Sequence, residues 1–346
     1  MAAVALRGYP ARWRPLAAAV VVCGLLGGCD GPYPQSALAP SGAAAEMLAD
    51  LWWAMLAGAT VIFVAVIGLA FYAVRIDPDE HPRMAEARHL FILGGGVALP
   101  VVVLSALLVT SFLISRDLTA PVAEDALRVE VVGHQWWWET RYFPPGADEP
   151  IVSANEVRLP VGEAVEVLLA TDDVIHSFWV PRLAGKTDMI PGRVNRMLLR
   201  ALEPGIYRGQ CAEYCGGPHA LMAFYAVALP PEEFAAWLAR EARPADDAVP
   251  DADPFLAAGR ELFLESGCGA CHTVRGTPAD GDFGPDLTHV GGRHSIGAGI
   301  LPNNVGTIAG WIADSQHLKP DNEMPSFNTF DGEELRALAA YLESLE

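Results

Sequence analysis

Basic side chains are scarce in this chain. Its 346 residues carry 23 Lys and Arg against 42 Asp and Glu, a formal net charge of −19. That balance excludes the basic face on which nucleic-acid binding depends. It leaves an acidic surface with two uses, plain solubility or the steering of a basic partner. Internal repeats are lacking, which excludes solenoid and propeller arrays. Cysteine is sparse as well. The six present fall by position into three pairs: Cys23 with Cys29, Cys211 with Cys215, and Cys268 with Cys271. The long apolar runs hold no His pair or cluster; His81 and His89 stand in the loop between those runs or at its edge. No bis-imidazole centre can therefore lie inside them.

The length gives room for two or three domains. Arg7, Arg12 and Arg14 precede an apolar run from Leu16 to Gly28, the pattern of a secretory signal over 1–28. Leu26-Gly-Gly-Cys29 resembles a bacterial lipoprotein cleavage box, which would leave a lipidated Cys29 as the mature N-terminus. An uncleaved or ordinarily cleaved signal is the alternative. Asp30 suits retention in the inner membrane of a cell with two membranes. Leu51 to Val74 and Leu90 to Ile114 each exceed the ~20 residues that span a bilayer. They predict a transmembrane helical hairpin within 45–118, with Gly58, Gly68 and Gly94-Gly-Gly96 permitting close helix approach. Arg75, Arg83 and Arg88 put the connecting loop on the cytoplasmic side and everything after Arg116 outside.

Residues 126–230 carry short alternating strands between Pro and Gly turns: Arg128 to Val132, Glu156 to Leu159, Val165 to Leu169, and Ala223 to Leu229. They predict an all-β sandwich. Residues 241–253, rich in Ala, Asp and Pro, read as a solvated linker. An all-α segment at 254–346 follows. Pro254 after Asp253 is a helix start, with an apolar stripe through Phe255, Leu256, Leu262 and Phe263. Asp331 with Glu334 is a capping box, followed by a stripe through Leu335, Leu338, Tyr341, Leu342 and Leu345.

The densest chemistry lies in Cys211-Ala-Glu-Tyr-Cys215-Gly-Gly-Pro-His219-Ala-Leu-Met222. Soft sulfur with imidazole selects copper, zinc or iron–sulfur centres, and a mononuclear blue-copper site needs one thiolate, two His and an axial Met. This loop has a thiolate to spare, which suggests two coppers sharing two bridging sulfurs. The missing imidazole is best supplied by His176, which follows the strand through Val165, Val167 and Leu169. A disulfide between Cys211 and Cys215 is the plain alternative outside the cytoplasm, but it leaves His176, His219 and Met222 unexplained. Zinc is disfavoured by the Met.

The loop resembles the dinuclear copper (CuA) motif of cytochrome c oxidase subunit II. Gly133-His-Gln-Trp136-Trp-Trp138, His176-Ser-Phe and Lys186-Thr-Asp188-Met-Ile-Pro191-Gly-Arg193 match the same family. The resemblance covers roughly residues 30–230. It implies a cupredoxin fold and copper ligands Cys211, Cys215, His176, His219 and Met222, with the backbone carbonyl of Glu213 as a further ligand. It also implies a magnesium site shared with subunit I at the Glu213 side chain, and Trp136 as the aromatic through which electrons enter. Core packing is the alternative for at least one of Trp136–Trp138. The family often places a Glu before the second membrane helix, near a proton channel. Glu86 is the candidate here, but Ala87-Arg-His-Leu-Phe-Ile-Leu-Gly departs from the usual aromatic-rich segment, so that role is not carried over.

Cys268-Gly-Ala-Cys271-His272 is the c-type haem attachment pattern: two thiols for thioether bonds and an adjacent axial imidazole. Met324, in Asn322-Glu-Met-Pro325, is the candidate sixth ligand, ahead of His289, His294 and His317. Two helices over a short haem segment resemble a class I cytochrome c, and Gly284-Pro285-Asp-Leu287 resembles the stretch whose Pro carbonyl orients the proximal His.

Together these features imply subunit II of a haem–copper oxidase with a fused cytochrome c of the caa3 type. Electrons would pass from a donor, such as a soluble cytochrome c or a quinol–cytochrome c reductase, to the haem. They would continue to the copper pair and then to subunit I, with subunit III alongside, for proton-coupled reduction of oxygen. The expected site is a bacterial inner membrane, with both cofactor domains on the periplasmic side. Two other classes stay open: an electron-transfer subunit of a nitrogen-oxide reductase, and a copper-handling assembly protein using the Cys211/Cys215 pair.

Overall fold

The computed structural model describes residues 33–75, 88–123, 125–245 and 253–346. The expected signal with Cys23 and Cys29 lies outside these residues, as do Glu86, His81 and most of the expected linker. Helix α1 (Ala43–Arg75) is 33 residues long. At 1.5 Å per residue that exceeds the ~30 Å hydrocarbon core of a bilayer. Its surplus is at the start, where Ala44, Ala45 and Ala49 are buried. There Ala43 N–H donates to Arg200 O at 3.0 Å and Ala45 N–H to Leu183 O at 3.2 Å, so the first turn is anchored in the β domain.

The second apolar span covers Arg88–Leu118. Through Phe91–Ala98 it winds as a π-helix, the stretch that holds Gly94–Gly96, and Leu99 N–H reaches back to Gly94 O. It then continues as α2 (Leu99–Leu118). Both spans expose large apolar side chains such as Phe63, Phe71, Leu104 and Phe112. In water such surfaces would be costly, whereas lipid or another membrane subunit matches them.

The β domain is two packed sheets. The first has the order β3-β2-β1-β5-β8 and the second β4-β10-β9-β6-β7. The strands are β1 (Arg128–His134), β2 (Trp137–Phe143), β3 (Ile151–Ala154), β4 (Glu156–Pro160), β5 (Val165–Thr171), β6 (His176–Trp179), β7 (Thr187–Met189), β8 (Asn195–Leu199), β9 (Gly205–Cys211) and β10 (Ala223–Leu229). β1 pairs parallel to β5 and β10 parallel to β4, while the other pairings are antiparallel. Alternation sends Val129, Val131, Val165, Val167 and Leu169 inward, all fully buried. They meet an aromatic cluster in which Phe178 and Phe224 stack at 4.6 Å and Trp138 stands 5.1 Å from Phe224.

Helix α3 (Pro231–Glu241) follows β10. Its Phe234 and Trp237 join the sandwich core, so this unit continues past residue 230, and Glu241 closes a helix where a linker was expected to begin.

The C-terminal domain is built on α4 (Pro254–Glu265) and α7 (Gly332–Ser344), with β11 (Ser295–Ile296), β12 (Leu301–Pro302), α5 (Val305–Ala313) and α6 (Ser315–Leu318) between them. Asp253 accepts Phe255 N–H at the start of α4, and Asp331 with Glu334 forms the reciprocal capping box of α7. Phe263, Ile308, Ile312, Leu338 and Tyr341 form a second core, separate from that of the sandwich.

Because Phe224 is fully buried at the centre of the sandwich's aromatic cluster, Phe224→Ala should cost about 3–5 kcal/mol. Guanidinium unfolding of the purified chain, followed by tryptophan fluorescence, should show the midpoint fall accordingly.

Candidate functional site

β5 and β6 belong to different sheets, and the chain crosses between them at residues 172–175. His176 therefore does not cap the strand that ends at Thr171. It opens β6, beside β9, whose last residue is Cys211. The loop after Cys211 turns through a short 3-10 segment (His219–Leu221) and re-enters the sheet at β10. Cys211 N–H donates to Met222 O at 2.9 Å, closing the loop at its base.

This geometry gathers the residues singled out from sequence. Cys211 Sγ lies 3.8 Å from His176 Nδ1, 3.8 Å from Cys215 Sγ and 3.2 Å from Glu213 O. Cys215 Sγ lies 3.5 Å from His219 Nδ1 and 3.8 Å from Met222 Sδ. The candidate ligand atoms of His176, Cys211 and Cys215 fall within 4.8 Å of one another, and all three residues are buried. A disulfide would hold the sulfurs near 2.05 Å; these thiols are free. Two sulfurs, two imidazole nitrogens, a thioether and a carbonyl around one small volume suit a pair of soft cations. Glu213 itself is exposed.

The electrostatics fit cations too. A hydrogen bond from Cys215 lowers the pKa of Cys211 against the opposing effect of burial. The same hydrogen bond, with burial, pushes Cys215 upward. One negative charge thus forms easily, and a second needs a cation beside it. Burial alone would lower His176, but its hydrogen bond to Asp173 and the neighbouring Cys211 outweigh burial and raise it. Asp173 Oδ1 takes His176 Nε2 at 2.8 Å, which leaves Nδ1 directed at the sulfurs. Asp173 also accepts from Gln135 N–H at 2.6 Å. Sequence reasoning did not single out Asp173; the only signal was its place three residues before a candidate ligand.

Trp136, half buried, donates its indole Nε1–H to Cys215 O at 2.9 Å, and Gln135 Nε2 donates to the same oxygen at 2.8 Å. Trp138 is fully buried core, while Trp137 stacks on His134 at 4.3 Å. The three tryptophans therefore divide among three tasks.

In the C-terminal domain a largely apolar cavity is lined by Cys268, Cys271, His272 and Met324. His272 Nδ1 bonds to Pro285 O at 2.8 Å, leaving Nε2 as the free ligand nitrogen. Burial lowers the His272 pKa, which favours the neutral form that binds iron. The cavity also holds buried Arg293, whose Nε has no partner among the described residues, and Ser295, whose Oγ has none among them. Orphaned polar atoms in an apolar cavity fit a group that is apolar over most of its surface and anionic at its edge, as haem is. Neither residue was singled out from the sequence. His289 is held at both ring nitrogens, by Glu346 O at 2.9 Å and Arg243 O at 3.0 Å, which removes it as an axial candidate.

Residues 148–228 match the family described as cytochrome c oxidase subunit II, periplasmic domain, and residues 256–346 match cytochrome c. The chain is 37% identical to cytochrome c oxidase subunit 2 of Alkalihalophilus pseudofirmus over 331 residues, 93% of this chain and 94% of that protein. This chain belongs to the cytochrome c oxidase subunit 2 family. The subunit 2 of Bacillus subtilis is 30% identical over 358 residues, covering 96% of this chain and 98% of its own length. Among solved structures, the periplasmic domain of subunit II of cytochrome oxidase of Bradyrhizobium japonicum is 32% identical, with a TM-score of 0.31, and covers 34% of this chain and 95% of its own. As a subunit 2 carrying a cytochrome c domain, the chain is part of an oxidoreductase complex. The family implies copper in the sandwich and haem c in the C-terminal domain.

Asp173 orients the candidate ligand His176 from behind, and such partners are typically worth 10–100-fold in metal affinity. Asp173→Asn should weaken copper binding by about that factor, read by competition with a chelator of known affinity.

Proposed function

We propose that this chain receives electrons at its cytochrome domain and delivers them, through a dinuclear copper centre, to subunit I for reduction of oxygen coupled to proton translocation. What carries the proposal is the second thiol: Cys215 stands 3.8 Å from Cys211, with an imidazole nitrogen beside each sulfur. A blue-copper site takes one thiolate, so a second thiol beside it favours a copper pair. When bound, haem and the copper pair each take up and release one electron at little structural cost.

The residues supply the rest. His272, oriented by Pro285 O, and the thioether of Met324 would hold the iron, and Cys268 and Cys271 the haem edge. Cys211, Cys215, His176, His219 and Met222 would hold the copper, with Glu213 O as the remaining ligand. β6, β9 and β10 keep these groups from moving between oxidation states. The exposed Glu213 carboxylate would share a magnesium ion with subunit I. The apolar flanks of α1 and of the Arg88–Leu118 span would pack against lipid and subunit I in a bacterial inner membrane, with subunit III as a further neighbour. Both cofactor domains would then lie on the outer side, within reach of an external cytochrome or a quinol–cytochrome c reductase.

EPR of the full chain with copper restored tests the centre directly. One electron shared over two copper nuclei gives a many-line hyperfine pattern, whereas a single-nucleus pattern, or zinc in metal analysis, overturns the dinuclear assignment. The Met324→Ala variant should lose the sulfur–iron absorption band, and a retained band would move the sixth ligand elsewhere. Isolation of the chain with its partners separates an oxidase from a nitrogen-oxide reductase by which gas the complex reduces.

A further inference from the structure

The haem cavity is not walled by the cytochrome domain alone. Gln135, Trp136 and Trp137 of the copper domain also line it. Between the cavity and the copper loop runs the segment 319–324, which ends in Met324. Lys319, only 2% exposed, donates its Nζ to Trp136 O at 2.6 Å and to Gly297 O at 3.2 Å. Two residues on, Asp321 lies against the copper loop: a Cβ on Gly217 would stand 2.6 Å from its Oδ2. Trp136 in turn bonds Cys215 O. The side chains of one short segment thus touch the haem cavity, the Trp136 carbonyl and the copper loop together.

Away from Lys319 the same two domains are joined by further polar contacts, from part-buried to exposed. Arg208 Nη1 donates to Gly299 O at 2.8 Å, Ala223 N–H to Ala298 O at 3.0 Å, and Arg158 Nη2 to Gly292 O at 2.7 Å. His294 N–H donates to the carboxylate of Glu156, which is 3% exposed. Gly299 has φ +80, and a Cβ there would come within 2.9 Å of the Ala223 backbone. Buried charges are tolerated only when their partners are met with good geometry. A face built from them therefore has one registry, unlike a greasy patch that can slide. Burial lowers the pKa of Lys319 to about 7. Protonated or neutral, its amine keeps N–H groups for the Trp136 carbonyl, so the contact survives either state.

We propose that Lys319 is a positioning residue that locks the cytochrome domain into one seat on the copper domain, with the haem cavity set against Trp136. The proposal rests on the electron path proposed above. It implies that the tethered cytochrome works from a docked position and does not search for its acceptor at each turnover. It also implies that the seated domain covers Trp136, so a soluble donor reduces the haem domain and has no direct access to the copper.

The test uses the full chain in its complex, comparing wild type with Lys319→Met, Lys319→Arg and Arg208→Met. Haem-to-copper transfer is followed after flash reduction of the haem. Independently of either cofactor, exchange of the Ala223 amide, which bonds across the seat, is followed by mass spectrometry. Lys319→Met should slow transfer by about tenfold or more, make it dependent on solvent viscosity, and speed Ala223 exchange, with both optical spectra unchanged. Arg208→Met should loosen the seat in the same direction, and Lys319→Arg should restore part of the rate. A wild-type rate and wild-type Ala223 protection in Lys319→Met would overturn the proposal, as would altered copper or haem spectra in that variant. If wild type itself shows no transfer, the electron path fails, while the amide exchange still reports on the seat.

Discussion

Two thiols buried 3.8 Å apart cannot both carry charge unless a cation lies between them. The sandwich around Cys211 and Cys215 is organised by that constraint. Cys211 ends β9 and His176 opens β6, so two neighbouring strands fix one imidazole against one sulfur. The loop closes on itself through Cys211 N–H and Met222 O and brings the second imidazole and the thioether to the other sulfur. Metal-free, the pair holds a proton that a metal must displace, so uptake of copper and release of protons are one event. A frame this rigid also leaves the ligands little room to move when the charge on the site changes.

Much of this was legible in the sequence because it is local. The caps at Asp253 and Asp331 are set by neighbours within three residues, and the strands of the sandwich announce themselves by alternation. The copper loop is nearly contiguous, so Cys211, Cys215, His219 and Met222 could be read as a group. His176 was found as a candidate, but its position was not: the strand before it belongs to the opposite sheet, and sheet membership is decided by pairing, which leaves no local trace. Asp173, Arg293 and Lys319 passed unremarked for the same reason. Each is a polar residue in a turn or loop, ordinary by composition. What distinguishes Arg293 and Lys319 is burial, and what distinguishes Asp173 is its contact with His176 and Gln135; a partner can be as far off as the 183 residues between Lys319 and Trp136.

The two domains divide the electrostatic work unevenly. The chain as a whole is strongly acidic, yet the side chains that donate across the domain seat, Arg158, Arg208 and Lys319, are of basic type. Their acceptors are mostly backbone carbonyls rather than carboxylates. Carbonyls of a folded loop have a fixed direction, whereas carboxylates on flexible stems do not. The seat's buried contacts, those of Lys319 and Glu156 above all, are screened less by salt than exposed charges are. Salt would then act on the approach of an external donor to the acidic surface more than on the internal step.

The anchoring of α1 has a consequence for biogenesis. Its first turn is hydrogen-bonded to Arg200 and Leu183, far downstream in the β domain. With α1 spanning a bilayer, as proposed above, those bonds can form only if its start and the whole sandwich end on the same side. An inverted or half-inserted hairpin would strand the Ala43 and Ala45 amides and expose the sandwich surface they cover. Correct topology is thereby made a condition of complete folding, and a wrongly threaded chain would present itself to proteolysis before it ever met copper.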